Sequence, residues 1–354
     1  MEIPVLRNPF RSAINPFVRE ADTQVIQWVQ HHGLATDAQW AEGYRASRFT
    51  WFAARCFPDA DLPQLSLAAA FNVWLFLLDD SCDEVPTGQK YEYVRSLATD
   101  LSLVLAGYPV PAAATTAAMA GPTVAAAAGP IAAPMGSTLA TALEDLWARL
   151  RQISTPDWQE HFVRGMYRYL DACKLEAQWL DMEAWPSLAA YTRYRPYLGA
   201  VHLEPALAEV LCGHHLNPVQ RKDPRIEILT LLCCNVVCWS NDLFSLDKEW
   251  ANGDRCNLAL VLAHEREYDL EDAIREAAAL HDHDVARFAA LAEEVLAGAA
   301  AGAAAGLNTG PLATTPALVH YVHALQHIVA ANMDWSIHDT RRYRFTFGEA
   351  RSTA

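Results

Sequence analysis

FNVWLFLLDDSCDE, residues 71–84, is the stretch on which the reading of this chain turns. An unbroken apolar run ends abruptly in carboxylates. Asp79 and Asp83 are four apart, so on a helix they lie on one face, one above the other. Two carboxylates at the mouth of an apolar helix suit a hard cation. Magnesium is the natural candidate, because it takes oxygen ligands and often bridges to a substrate phosphate. The plain alternative is an acidic helix end facing water, and this motif alone does not choose between them.

A second stretch far downstream changes the balance. NDLFSLDKE, residues 241–249, again follows a long apolar run. Asn241, Ser245 and Glu249 are spaced four and four, which places them on one helical stripe spanning about 12 Å of axis. Asn241 and Ser245 offer short neutral oxygens, and the longer Glu249 can reach back towards them. Two neutral ligands and one carboxylate hold a dication weakly unless substrate oxygens complete the shell. Two such motifs across an apolar bundle describe a cavity with a diphosphate clamp at its mouth. Asp80 and Asp242, about 100° round the helix from the proposed ligands, are assigned to salt bridges or solvent.

The rest of the chain fits a helical bundle. Periodicity near 3.6 dominates and strand alternation is scarce. Helices are expected from Asn15-Pro16 to Gly33, over 37–57 as one element, and over 62–80 and 89–107. Further helices are expected over 137–153, 156–180, 187–213, 225–253, 256–265, 270–298 and 317–343. Pro196 and Gly199 predict a kink or break inside the span 187–213. Ala, Pro, Gly and Thr crowd residues 108–137, which reads as a surface insertion in one all-α domain covering 1–354.

Composition narrows the function. Of the 354 residues, 52% are hydrophobic, and the formal net charge is −15. That charge argues against nucleic acid or an anionic membrane as partner, since both need basic patches. No uncharged run reads as a membrane span, because the long one at 106–142 is broken by five prolines. The eight cysteines contain no CxxC pair, and with no leader pattern at MEIPVLRNPF the chain reads as cytoplasmic. His214 and His215 read as loop residues. His320, His323 and His327 share a helical face but lack a Glu partner. The run His281, Asp282, His283, Asp284 reads as a solvated surface.

At this point the chain resembles the class I terpene synthases of bacterial and fungal type. DDSCDE matches the aspartate-rich DDxxD motif, and NDLFSLDKE matches the second motif, (N,D)Dxx(S,T)xxKE. Arg342-Tyr343 matches the C-terminal RY signature. Arg195 stands where the family has its diphosphate sensor, with Gly199 at the helix break. Two departures are visible: Leu198 occupies a place often filled by an acidic or hydrogen-bonding residue, and the insertion at 108–137 is atypical.

The resemblance implies three magnesium ions, with manganese as a substitute, bound by Asp79, Asp83, Asn241, Ser245 and Glu249. It implies that Arg195, Lys248, Arg342 and the Tyr343 hydroxyl hold the diphosphate. The carbocation left behind needs a dry pocket. Asn72, Leu75 and Phe76 precede the first motif by one and two turns, and Cys234, Val237 and Cys238 precede the second at the same offsets. These six and Trp335, seven before Arg342 and so expected on its helical face, are the candidate cavity wall. The implied substrate is a prenyl diphosphate, farnesyl diphosphate by chain length, and a homodimer is a possible assembly. The alternatives are a diterpene synthase acting on geranylgeranyl diphosphate, a chain-elongating prenyltransferase, which calls for two aspartate-rich motifs, and a non-catalytic binder of prenyl diphosphates.

Overall fold

Helix α4, Leu62–Asp83, is apolar all round and lies at the centre of the molecule. Its start is set by a capping box: Asp61 Oδ1 accepts from Gln64 N at 2.9 Å, and Gln64 Oε1 accepts from Asp61 N at 3.3 Å. A helix with no polar stripe can be stable only when surrounded. Here α1 (Val18–His31), α3 (Phe49–Cys56) and α6 (Ala132–Ile153) pack round it.

The computed structural model describes residues 1–34, 38–108, 132–304 and 315–348. The remaining elements are α2 (Ala38–Ser47), α5 (Lys90–Leu105), α7 (Pro156–Asp181), α8 (Leu188–Leu198), α9 (Leu203–Leu211) and α10 (Pro218–Arg221). They are followed by α11 (Pro224–Asn252), α12 (Leu258–Arg266), α13 (Leu270–Ala304) and α14 (Pro316–Asp334), which runs into a π-helical turn at Trp335–Asp339. Helix α11 is the second central helix, with α8, α12, α13 and α14 against it. A short parallel pair, β1 (Glu2–Ile3) with β2 (Thr346–Phe347), joins the two ends of the chain. The expected all-α bundle is therefore the observed fold.

By length and composition α4 and α11 could each cross a membrane, but 67% and 72% of their most apolar windows are buried inside the protein. Both spend that apolar surface on the core of the bundle.

Some expected elements differ. The helix expected over 37–57 is two helices, broken at Arg48, which takes the left-handed conformation with φ of 55°. The break frees carbonyls, and the C-terminal region takes them up. Trp335 Nε1 is shared between Ser47 O and Arg48 O at 3.0 and 2.9 Å, and Arg341 N donates to Ala46 O at 2.8 Å. The break near Pro196 falls at 199–202, where Ala200 has φ of 54°. The His202 ring there lies 3.2 Å from Pro196 O and 2.9 Å from Gly165 O.

Helix α6 begins at Ala132, inside the expected insertion, with Pro134 in its first turn. Proline is tolerated there because the first amides of a helix have no intrahelical partner. Tyr108 is described and exposed, and insertion residues 109–131 lie outside the described residues. The run 281–284 is a solvated surface only at Asp282 and His283. His281 is fully buried, and Asp284, nearly so, accepts from Asn235 Nδ2 at 3.1 Å and Trp239 Nε1 at 3.2 Å. These two residues are three apart on α13, so one face carries both against α11. Trp335 and Arg342 do not share a helical face, because helical geometry ends at Asp339.

Trp335→Phe removes the donor that serves the break at Arg48. Arg48 O keeps Trp51 N at 3.0 Å, but Ser47 O loses its indole donor, and leaving one buried carbonyl unpaired costs about 1–3 kcal/mol. The variant should melt below the parent in a thermal unfolding scan, and an unchanged midpoint would show that the break does not depend on the indole.

Candidate active site

One cavity opens between α4 and α11, and both motifs lie at its mouth. From α4 it is lined by Asn72, Leu75, Phe76, Asp79 and Asp83, and from α11 by Val237, Cys238, Asn241, Ser245, Lys248 and Glu249. Arg195 and Leu198 of α8, Gly199 of the break, Trp335, Arg342 and Tyr343 close it. The structure thus brings together every expected site residue except Cys234. Cys234 is buried but does not line the cavity. The lining contributed by α11 starts one turn higher, at Val237, where Asn332 of α14 donates to Val237 O at 3.3 Å and to Ser240 Oγ at 2.9 Å.

The first motif is a tight acidic group. Carboxylate oxygens of Asp79, Asp80 and Asp83 lie within 4.8 Å of one another, close enough for one divalent cation. Asp80 is also engaged elsewhere: Arg342 Nη2 and Nη1 donate to its two oxygens at 3.0 and 3.4 Å. The Arg342 guanidinium in turn lies 5.2 Å from the Phe49 ring centroid and 5.7 Å from that of Phe76. Lys248 Nζ reaches across from α11 to within 3.8 Å of Asp83.

The second motif is already hydrogen-bonded. Arg195 Nη2 donates to Asn241 Oδ1 at 2.9 Å, and Asn241 Nδ2 donates to the Tyr343 hydroxyl at 3.0 Å. Ser245 Oγ donates to Asn241 O at 2.8 Å, and Asn257 Nδ2 donates to Glu249 Oε2 at 2.7 Å. Asp242, beside Asn241 and fully buried, anchors the frame. It accepts from Arg195 Nε at 2.8 Å, Tyr191 Oη at 2.7 Å and Leu258 N at 2.9 Å. So Asp242 turns away from the cavity to form the expected salt bridge. Gly199 leaves no room for a side chain, since a Cβ there would lie 2.5 Å from Arg195 Nη1.

Electrostatics mark the mouth as a place made for cations. Enclosure in the cavity, with Asp83 and Asp80 adding to it, pushes the Asp79 carboxyl up to about 7. Burial, with Asp242 next, takes Glu249 to about 7 as well. Burial raises Asp83 too, against the pull of Lys248 and Lys90. The donor set fits a divalent metal of magnesium type: hard oxygens, clustered, and held against their own repulsion.

Deeper in, the wall is aromatic. Phe76 stacks on Phe49 with centroids 4.0 Å apart, and Trp335 lies 5.8 Å from Phe76 and 5.4 Å from Phe52. Such faces stabilise positive charge through their quadrupoles.

Several lining residues escape the sequence reading. Tyr169, Glu176 and Leu180 come from α7. Tyr169 and Glu176 are seven apart on one face, a spacing visible in the sequence. Burial, with Asp79 next, pushes Glu176 up to about 8. Asn257 caps α12 through Ala259 N, as an Asn before an apolar run suggests, but its hold on Glu249 is tertiary and leaves no sequence signal.

Comparison with known proteins agrees with this geometry. The family model described as terpene synthase family 2, C-terminal metal binding, matches residues 70–287. The (+)-T-muurolol synthase of Roseiflexus castenholzii, described as cyclising (2E,6E)-farnesyl diphosphate, is 31% identical over 94% of this chain and 91% of its own. The (+)-eremophilene synthase of Sorangium cellulosum is 28% identical over 93% of this chain and 89% of its own. Wild-type cucumene synthase superposes with a TM-score of 0.73 at 26% identity, covering 93% of this chain and 98% of that structure.

Two predictions follow from the mouth. Asp79, Glu249 and Glu176 have folded pKa values raised to about 7, 7 and 8. Without cations the fold therefore binds more protons than the unfolded chain from about pH 4 to 8, and these groups lower stability as pH rises through that window. Magnesium binds the ionised form, so the rise in melting temperature that it causes should be larger at about pH 8 than at about pH 6. An equal rise at both would contradict the shifts. Separately, Gly199→Ala should displace Arg195 and cut turnover at least about tenfold while circular dichroism stays native. Full activity would show that Arg195 has room to move.

Proposed function

The chain belongs to the class I terpene synthases of bacterial type, and we propose that it ionises farnesyl diphosphate and cyclises the resulting carbocation to a sesquiterpene. The observation that supports this most directly is the pairing of two metal motifs across one cavity, with Lys248 of one within 3.8 Å of Asp83 of the other, above an aromatic wall. The T-muurolol synthase, similar along nearly its whole length, carries farnesyl diphosphate in its name, which supports the fifteen-carbon substrate.

Asp79 and Asp83 would hold magnesium from α4, and Asn241, Ser245 and Glu249 from α11, with three ions as the family resemblance implies and manganese able to substitute. Magnesium, when bound, would neutralise the charge that develops on the leaving diphosphate as the allylic C–O bond breaks. Arg195, Lys248, Arg342 and Tyr343 all face the mouth, where they would donate to the same diphosphate oxygens. Arg342 would have to share its guanidinium between Asp80 and substrate, and Lys248 would leave Asp83 as cations enter. The aromatic wall then shelters the cation from water. We take the whole chain as one catalytic domain. Its eight free cysteines suit a reducing cytoplasm.

The test is to incubate purified protein with magnesium and, separately, the ten-, fifteen- and twenty-carbon prenyl diphosphates, and to analyse the extracts by gas chromatography–mass spectrometry. A magnesium-dependent C15 hydrocarbon or alcohol from farnesyl diphosphate is expected. Asp79→Ala and Asn241→Ala should each lower turnover at least about a hundredfold, whereas Asp282→Ala, at a residue that does not line the cavity, should not. Product only from the twenty-carbon substrate would replace the sesquiterpene reading with a diterpene one. Binding without diphosphate release would make the protein a prenyl-diphosphate binder.

A further inference from the structure

Far from the mouth, the cavity carries a carboxyl that the metal chemistry does not use. Glu204, in the first turn of α9, lines the cavity and is 3% exposed. Its hydrogen-bond partner is Asn72, whose Nδ2 lies 3.5 Å from Glu204 Oε2. Asn72 also donates to Ala68 O at 3.2 Å, which fixes its amide on the α4 wall. It stands two turns before Asp79, so Glu204 lies about 10 Å below the metal motif along α4.

Of the other carboxyls that line the cavity, Asp79, Asp83, Glu176 and Asp254 form the mouth and feel one another's charge, and Glu249 feels that of Asp242. Glu204 feels none of them. Burial alone, offset by Asn72, pushes it up to about 8. The groups that sense its charge are the thiols of Cys56, Cys233 and Cys234. No cation is paired with it among the described residues. A buried carboxyl with one weak amide partner is costly, and a fold that keeps one in a cavity wall does not gain packing from it.

We propose that Glu204, held by Asn72, is a product-determining residue: its carboxyl draws the positive charge towards the depth of the cavity and accepts the proton lost in the final step. This rests on the cyclising function proposed above. In that step a C–H bond beside the cationic carbon breaks, and its electron pair becomes the new carbon–carbon double bond. The proton forms an O–H bond on Glu204, and the hydrocarbon leaves neutral. The acid then gives its proton to water that refills the cavity. The step uses the ionised form of Glu204, whose share grows as pH rises through about 8 because burial holds the resting carboxyl partly protonated. A carbocation within reach favours that form, as any adjacent positive charge does. At about 10 Å along the helix, the diphosphate at the mouth is too distant to take a proton from this end of the substrate. Asn72 acts as a positioning residue, keeping the carboxyl on the cavity side of α9.

Glu204→Gln keeps the shape and removes the base, whereas Glu204→Asp keeps the base on a shorter arm. Both are compared with the parent for diphosphate release and for product composition, after their melting curves confirm folding. In Glu204→Gln, diphosphate release should continue while the share of the parent's main product falls at least about tenfold in favour of other alkenes or water-quenched alcohols. Glu204→Asp should retain more of the parent product than Glu204→Gln does. Asn72→Leu, which leaves the carboxyl in place but unheld, should shift the composition in the same direction as Glu204→Gln, and it serves if Glu204 variants do not fold. An unchanged composition in Glu204→Gln, or better retention by Gln than by Asp, overturns the proposal and leaves the diphosphate as the base. If the parent itself releases no diphosphate, it is the cyclising function that fails.

Discussion

The buried ion pair between Arg195 and Asp242 is the joint on which the site depends. Asp242 is fully buried and receives the guanidinium, the Tyr191 hydroxyl and the Leu258 amide together. One carboxylate thus fastens α8, α11 and the start of α12. A buried charge is tolerable only when its lone pairs are filled, and removing one partner of such a pair typically costs about 3–5 kcal/mol. The same arginine reaches Asn241, so the joint that builds the frame also sets the direction of a proposed metal ligand. Gly199 follows from this, because the guanidinium occupies the place a side chain would need.

The mouth works in the opposite sense. There the carboxylates are gathered and only partly satisfied, and burial with neighbouring negative charge raises the pKa values of Asp79 and Glu249. Two cationic side chains, Arg342 on Asp80 and Lys248 on Asp83, hold part of that charge. Preorganised but unsatisfied groups are what a site needs if its ligands are to bind strongly when charge arrives. The stability given up at the mouth is recovered in the two apolar clusters beneath it.

The two motifs were legible in the sequence because their spacing is local: four residues make one helical face whatever the surroundings. So were the central helices and the break at Gly199. The break at Arg48 was not, because it needs a non-glycine residue in the left-handed region, held there by an indole from the other end of the chain. The partners Tyr191, Asn257 and Glu204 were missed for a related reason, since each acts across a tertiary contact that leaves no periodic trace. In the run 281–284 only His281 and Asp284 depart from the expected wet surface, because alternating His and Asp give no sign of which two α11 will cover. Cys234 shows the limit of extending a helical face downwards: the stripe continues but the cavity does not.

The pairing of β1 with β2 ties Glu2 to Thr346 and Ile3 to Phe347. Between Trp335, clamped to the Arg48 break, and this small ladder lies the segment that carries Arg342 and Tyr343. It is therefore held at both sides by contacts of very large sequence separation. Closing so long a loop adds little free energy, since each doubling of length costs only about 0.6 kcal/mol, but such contacts form late. The carboxylates of α4 and the rings of Phe49, Phe52 and Phe76 can therefore gather before Trp335, Arg342 and Tyr343 are set against them. The mouth is thus completed by the contacts that lie farthest apart along the sequence.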